Sequence, residues 1–179
     1  MGVLRIIAGV LAASSIAFSA HSSSGQLGFG YGRELVGNRD LHQYELAWQL
    51  PLPWEKMVTD TLPLSTAVEL GMALIDERGS DESPTFRLAL MPRATFEIHD
   101  NLHLFAGLGL GFMAGETEFT GHNLGGPGFL NSKLGVQIML GKRLSLEYLF
   151  YHQSNAGIYD FNASLNMHHL AISWKFFVP

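Results

Sequence analysis

A histidine and a serine two positions apart, His152 and Ser154, are the residues of this sequence best suited by type and spacing to do chemistry together. Side chains at positions i and i+2 of a β-strand point to the same face, so a strand that includes both residues makes them neighbours. An imidazole beside a hydroxyl can act as general base toward a serine nucleophile. Because an H-x-S tripeptide is common by chance, its meaning depends on the element and the face that carry it.

The composition limits the class of protein. The chain has 179 residues, which is the size of one domain, and 47% of them are hydrophobic against 15% charged. So few charges are unusual for a water-soluble surface. The net charge of −5, without a basic block, argues against a nucleic-acid partner. The absence of cysteine excludes disulfides, thiolate metal ligands and a cysteine nucleophile.

The first twenty residues resemble an export signal. Arg5 precedes a short apolar run from Ile6 to Phe18, and Ala17-Phe18-Ser19 has the small-x-small pattern of a cleavage site. The run is too short to span a bilayer comfortably. We predict a signal peptide over residues 1–20, cleaved near residues 19–22, and a single domain over residues 21–179.

The remaining chain is a series of segments with alternating apolar and small or polar residues, separated by turn signals. Most are about ten residues long, the length of a tilted strand that crosses a bilayer. Eight such segments are predicted, at residues 26–35, 42–50, 63–75, 84–99, 102–115, 130–140, 144–154 and 167–177.

The two faces of these segments differ in size and charge. One face carries large aliphatic and aromatic side chains, such as Leu108, Leu110 and Phe112. The other carries glycine, alanine and the charged residues Glu45, Glu69, Arg87, Arg93, Glu97, Lys133, Glu147 and Lys175. The interior of an eight-stranded barrel is just wide enough for its own side chains, so the large face would overfill it. The pattern therefore favours an all-β, eight-stranded antiparallel transmembrane β-barrel of outer-membrane type, with the large face toward lipid. The alternative is a soluble, lipocalin-like binder with the faces reversed.

The connections indicate how such a barrel is oriented. Tight turns at Asp100-Asn101 and 141–143 alternate with longer loops at 76–83, 116–129 and 155–166. In exported barrels the short turns are periplasmic and the long loops lie outside. The segment 51–62 is long where a short turn is expected, and we interpret it as an interfacial segment anchored by Trp54.

Strand parity places the His-x-Ser pair on the lipid face. His152 and Ser154 share the parity of Tyr148 and Phe150 and lie at the outer end of their strand. The other interpretation is that the strand leaves the membrane at Phe150, so that both residues are in water.

The last strand adds polar groups on the same face. Asn166 and His168 share the outward parity, and a hairpin across 155–166 brings them beside Ser154 and His152. Asn155, Ala156 and Gly157 follow the serine and offer backbone N–H groups and an amide to an oxyanion.

The run from His152 to Gly157, the loop to Asn166 and the closing aromatic strand resemble the C-terminal part of the PagL family of outer-membrane lipid A 3-O-deacylases. The resemblance implies an eight-stranded barrel in the bacterial outer membrane that removes the 3-O-linked acyl chain from lipid A of lipopolysaccharide. It implies Ser154 as nucleophile, His152 as base and the oxyanion region at residues 155–157.

One position departs from that family. Its founding members place a glutamate, which orients the histidine, twelve residues after the serine, and this sequence has Asn166 there. An amide can hold a neutral imidazole in the correct tautomer but cannot stabilise the imidazolium by charge. His168 and Asp160 are the alternative supports for His152. The competing function is therefore a catalytically weakened or inactive barrel with a structural or adhesive role.

The expected partners follow from the resemblance. The substrate is lipid A or lipopolysaccharide in the membrane, and the mechanism needs no metal or other cofactor. His168 and His169 are adjacent, so in a strand they point to opposite faces and cannot chelate a metal together. Glu147 has lumen parity, where Lys133 or Lys175 is the expected partner. Monomer and homodimer both remain open.

Overall fold

A computed structural model describes residues 24–35, 40–81, 83–120 and 122–177 of the chain, so the predicted signal peptide lies outside the described residues. No helix in the described part is long and apolar enough to cross a membrane. The strands are β1 (Ser24–Glu34), β2 (Leu41–Thr59), β3 (Leu62–Glu77), β4 (Thr85–His99), β5 (Leu102–Ala114), β6 (Glu118–Phe119), β7 (His122–Asn123), β8 (Gly128–Met139), β9 (Leu144–Ser154) and β10 (Leu165–Phe177).

Eight of these strands form a closed barrel in the order β1-β10-β9-β8-β5-β4-β3-β2, and all neighbours are antiparallel. The first and last strands pair from Ser24 opposite Phe177 to Glu34 opposite Met167, which closes the sheet. The short strands β6 and β7 form a separate hairpin between β5 and β8. The predicted fold class, an eight-stranded antiparallel barrel, is confirmed.

The strands are strongly staggered around the barrel. Paired residues followed once around it lead from Leu64 on β3 back to Leu74 on the same strand, ten positions further on (74 − 64 = 10). Such a stagger requires the strands to tilt, and tilts of about 35–45° are typical. The path passes through the outward-facing residues Phe96, Leu104, Val136, Tyr148, Leu170, Tyr31 and Tyr44.

The large side chains cover the outside. Leu108 is 68% exposed, Leu134 64% and Phe29 56%. An apolar exterior of this kind is matched to lipid rather than to water. The reversed arrangement of a soluble lipocalin-like barrel is therefore not the one this chain adopts.

The lumen holds a connected network of six charged side chains. Lys133 Nζ donates to Glu45 Oε1 at 2.5 Å and to Glu69 Oε1 at 2.6 Å. Arg87 pairs with Glu45 at 3.1 Å, while Arg93 pairs with Glu69 at 3.4 Å. Arg93 also contacts Glu147 at 3.1 Å. Three acids thus balance three bases, as buried charges require.

Two details of the predicted lumen are wrong. The partner of Glu147 is Arg93, because the stagger brings β4 rather than the lysines of β8 and β10 across from it. Glu97 is exposed and Lys175 is half-buried, since both lie where their strands leave the barrel at the end with the short turns.

The strand bounds predicted on either side of residues 51–62 are too short, while the interfacial role of this segment stays a prediction. Here β2 and β3 continue as a long hairpin closed by a turn at Asp60-Thr61. The pairing is irregular between Pro51 and Glu55, and prolines in strands are found at such irregular or edge positions because they lack an N–H group. Trp54 lies on this hairpin and is 72% exposed.

The corrected hairpin restores a consistent alternation of connections. One end of the barrel, the short-turn end, has turns at 60–61, 100–101 and 140–143. The other, the long-loop end, carries the connections that follow β1, β3, β5 and β9. The predicted loop 116–129 is partly ordered there as the β6–β7 hairpin. That the long-loop end faces outside the cell stays a prediction.

Replacing Arg93 by methionine is expected to destabilise the barrel strongly. The change leaves the buried carboxylates of Glu69 and Glu147 without a guanidinium, and breaking one partner of a buried ion pair costs about 3–5 kcal/mol. Urea unfolding in lipid vesicles, followed by tryptophan fluorescence, measures this loss. Lys56→Met, in the exposed β2–β3 hairpin, is the control, and an equal stability of the two variants would contradict a structural role for the network.

Candidate active site

The hairpin of β9 and β10 brings the predicted polar residues together. In the ladder His152 lies opposite Asn166, and Phe150 lies opposite His168. Ser154 is the last residue of β9, and Leu165 is the first of β10. The site therefore lies at the long-loop end, where both strands leave the barrel.

His152 is held by a hydrogen bond across the ladder. Its Nδ1–H donates to Asn166 Oδ1 at 2.8 Å, and both side chains are half-buried. A proton fixed on Nδ1 leaves the lone pair of Nε2 free to accept a proton. The imidazole is thus in the tautomer that a general base requires.

The Ser154 hydroxyl has two partners. Its Oγ accepts the N–H of Ala156 at 3.0 Å and donates to Asn162 Oδ1 at 3.2 Å. Within the described residues it makes no hydrogen bond to His152. Proton transfer between the two side chains would require the hydroxyl to turn from Asn162 toward His152. Catalytic hydrogen bonds often form only when substrate binds.

The turn after Ser154 has an unusual backbone. Ala156 has φ 54° and Gly157 has φ 77°, so two consecutive residues are left-handed. This conformation costs a non-glycine residue about 1–2 kcal/mol. The Ala156 N–H bond to Ser154 Oγ and the Gly157 N–H bond to Asn155 Oδ1, at 2.8 Å, offset that strain. Backbone strain of this kind is typical of functional sites.

Asn155 fastens the loop that follows β9. Its side chain is 2% exposed, and Nδ2 donates to the backbone oxygens of Leu124, at 2.8 Å, and Phe161, at 2.5 Å. Its carboxamide is therefore engaged within the loops, while its backbone N–H donates to Asn162 Oδ1 at 3.0 Å. Of the predicted oxyanion region, the backbone N–H groups of Asn155 and Ala156 lie next to Ser154.

Asn162 belongs to the candidate site, although no pattern in the sequence indicated it. Its Oδ1 accepts from both the Ser154 hydroxyl and the Asn155 N–H, so an oxygen atom already occupies the position between them. It lies eight residues after Ser154 in an irregular loop, where strand parity gives no signal. Asparagine is common in such loops, so its residue type alone does not single it out.

The alternative supports for His152 lie elsewhere. His168 Nδ1 is hydrogen-bonded to the hydroxyl of Tyr148 at 2.6 Å, and Asp160 is exposed in the loop. Glu147 is in the lumen network. Among the described residues, the hydrogen-bond partner of His152 is Asn166.

On the outer surface His152 and Ser154 have apolar neighbours, and the lumen of the barrel is nearly filled by side chains. Leu130 lies opposite Ser154 on β8, and Leu134 lies opposite Phe150. The lumen cavity lined by Glu45, Lys133 and His169 has a volume of about 20 Å³, room for about one water molecule. This cavity is too small for a fatty acyl chain.

No group of three or more histidine, aspartate and glutamate side chains in the described ranges is arranged to hold a metal ion. The absence of a metal from the mechanism stays a prediction.

Replacing Asn155 by alanine is expected to loosen the loop between β9 and β10. The change removes the donors that tie the loop to Leu124 and Phe161 and leaves their carbonyl oxygens unsatisfied. Hydrogen exchange of the backbone amides of residues 155–164 should increase, while that of β4 and β5 stays unchanged. Unaltered exchange in the loop would show that the Asn155 side chain does not hold it.

A family model matches most of the chain. The family model described as lipid A 3-O-deacylase (PagL) matches residues 42–175, which include all the residues of the candidate site. No curated protein sequence gives a significant match.

Solved structures share the fold. The crystal structure of the outer membrane enzyme PagL matches with a TM-score of 0.69 at 19% identity, covering 83% of this chain and 97% of that one. A de novo designed transmembrane β-barrel matches with a TM-score of 0.58 at 10% identity, covering 89% and 100%. The Yersinia pestis outer membrane protein Ail, in a bilayer nanodisc, matches with a TM-score of 0.51 at 12% identity, covering 86% and 99%. At these identities the matches show the fold alone.

Proposed function

Since the chain belongs to the lipid A 3-O-deacylase (PagL) family and is an outer-membrane barrel, we propose that it hydrolyses the 3-O-linked acyl ester of lipid A on its outward, lipid-facing surface. Ser154 is the nucleophile and His152 the general base. The observation that carries this proposal is the Nδ1–H bond from His152 to Asn166 beside Ser154, on a strand whose preceding outward residues face lipid.

The first half of the reaction acylates the serine. His152 Nε2 takes the Ser154 proton as Oγ attacks the ester carbonyl carbon. The carbonyl oxygen, now carrying negative charge, replaces Asn162 Oδ1 as the acceptor of the Asn155 N–H. The tetrahedral intermediate then collapses, and the imidazolium of His152 gives its proton to the departing 3-hydroxyl of the sugar.

The second half regenerates the enzyme. His152 removes a proton from water, and the resulting hydroxide attacks the acyl-serine carbonyl. The carbon–oxygen bond to Ser154 breaks, Ser154 recovers its proton from His152, and the free fatty acid leaves. No redox step or metal is involved.

The outward position suits a substrate that is itself a membrane lipid. Such a lipid reaches the barrel by lateral diffusion, so its acyl chains meet the exterior rather than the lumen. The apolar residues around the pair, such as Leu130 and Leu134, are 43% and 64% exposed and can contact an acyl chain.

The second candidate function is a barrel that has lost or weakened its activity and serves a structural or adhesive role. Two observations favour it. Asn166 supplies no charge to an imidazolium, and the Ser154 hydroxyl is directed to Asn162 rather than to His152. Measurement of turnover separates the two functions.

Ser154→Ala and His152→Ala are each expected to reduce the release of 3-O-linked fatty acid from lipid A by at least about 10³-fold. Ser154 supplies the attacking oxygen, and His152 removes its proton. Mass spectrometry of lipid A incubated with purified protein in detergent measures the product. Ser132→Ala, which changes an outward serine beside His152 on β8, is the matched control and should retain activity. Full activity of Ser154→Ala would exclude Ser154 as the nucleophile.

The two variants Asn166→Ala and Asn166→Glu test the third residue. Asn166→Ala should lower kcat with little change in KM, because the imidazole loses the acceptor that fixes its tautomer. Asn166→Glu should raise kcat, because a carboxylate also stabilises the imidazolium formed in the transition state. If Asn166→Ala hydrolyses lipid A as fast as the wild type, Asn166 does not take part in orienting His152.

A further inference from the structure

Three basic side chains lie side by side next to the candidate active site. In the barrel ladders His168 of β10 lies opposite Arg33 of β1, and Arg33 lies opposite His42 of β2. Residues directly opposite on antiparallel strands have Cβ atoms about 4.5–5.5 Å apart. We call His168, Arg33 and His42 the basic row. It begins two residues along β10 from Asn166, on the same outward face.

Tyrosines lie directly below the basic row and orient its two histidines. The hydroxyl of Tyr148 contacts His168 Nδ1 at 2.6 Å, and that of Tyr31 contacts His42 Nδ1 at 2.5 Å. A phenol that donates to Nδ1 places the imidazole proton on Nε2, so the exposed edge of His168 carries a donor. Tyrosines are enriched where a bilayer meets water, so the basic row lies at the level of lipid head groups.

The positive charge of Arg33 is only partly neutralised. Arg33 contacts Asp40 at 2.9 Å, but the same carboxylate also accepts from His42 at 2.9 Å and lies 3.8 Å from Arg78. The Arg33 side chain remains 64% exposed. A second carboxylate, that of Asp76, lies opposite His42, at the far end of the row from the candidate active site.

The Arg33 guanidinium can therefore exchange partners readily. An exposed ion pair such as Arg33–Asp40 contributes little, about 0–1 kcal/mol, to stability. A planar guanidinium binds phosphate through two parallel N–H bonds, which gives both strength and orientation. The row thus has the chemistry of an anion-binding surface at head-group depth.

We propose that Arg33 and His168 form a subsite for a phosphate group on the sugar head group of the lipid whose ester is cleaved at Ser154. This inference rests on the proposed function and identifies the part of the substrate that the barrel binds. In the ladders Arg33 is level with Phe150, four residues before Ser154, so the two backbones are separated by about 10 Å across two strand spacings and about 13 Å along β9. The Arg33 side chain shortens this separation, because its guanidinium contacts Asp40, two residues beyond His42 toward the long-loop end. The distance that remains is on the scale of one phosphorylated hexosamine. With the phosphate bound at the row, the sugar spans β10 and its ester lies at Ser154.

The test compares lipid A with the same lipid after enzymatic removal of its phosphates. Arg33→Gln should raise KM for the phosphorylated lipid by about ten- to a hundredfold at nearly unchanged kcat, since a charge-assisted bond is lost in substrate and transition state alike. The wild type should show a similar rise on the dephosphorylated lipid, on which Arg33→Gln has no further effect. His168→Gln should raise KM for the phosphorylated lipid in the same way but by a smaller factor. The KM of Arg33→Lys should lie between the values of Arg33→Gln and the wild type.

Lys142→Gln removes an exposed positive charge at the opposite, short-turn end and is the matched control. It should leave KM for both lipids unchanged. Equal KM values of the wild type for the two lipids would overturn the proposal. So would a rise in KM that Lys142→Gln shares with Arg33→Gln.

A binding measurement with inactive protein keeps this inference separate from the proposed function. Ser154→Ala should bind vesicles containing phosphorylated lipid A more tightly than vesicles with the dephosphorylated lipid, and adding Arg33→Gln should abolish the difference. That result would support the subsite even if the wild type released no fatty acid. A wild type that released no fatty acid would refute the deacylase proposal instead. Inorganic phosphate that displaced the protein as effectively as phosphorylated lipid would assign the row to free phosphate and overturn the head-group assignment.

Discussion

The narrow interior of an eight-stranded barrel constrains everything else in this molecule. Eight strands enclose little more than the volume of their own side chains. Here that volume is shared by two groups of side chains. Lys133, Arg87, Arg93 and their three glutamate partners are at most 4% exposed, and a buried apolar cluster that includes Phe105 and Tyr151 lies beside them. Most of the large apolar residues consequently lie outside, where a bilayer suits them. The proposed reaction on a lipid is therefore assigned to that exterior.

The candidate site lies where the apolar exterior ends. His152 and Asn166 are held by the ladder of β9 and β10, so the candidate base is fixed by two paired strands. Ser154 begins a turn whose left-handed backbone and buried Asn155 hold the hydroxyl and N–H groups on one side. The same ladder, continued to β1, brings Arg33 beside His168, two residues along β10 from Asn166. One set of strands thus positions both the candidate reacting groups and the proposed head-group contact.

Much of this arrangement could be predicted from the alternation of residue types along the strands. The predictions that were wrong have physical causes. Parity placed His152, Ser154 and Asn166 on one face, and that is how the strands carry them. Prolines 51 and 53 suggested a loop because proline lacks an N–H group, yet β2 accommodates them at an irregularity in its pairing. Parity also assigned Glu97 to the lumen, but it says nothing about where a strand leaves the barrel.

The sequence by itself determined the eight strands, their two faces and the grouping of His152, Ser154 and Asn166, because a period of two is a local property of an extended chain. Only the tertiary structure decided that Arg33 lies opposite His168, since closure of β1 on β10 joins the two ends of the chain. It also decided the role of Asn162, which depends on side-chain to backbone hydrogen bonds between loops. Such contacts follow from the stagger of the whole barrel and leave no periodic trace in the sequence.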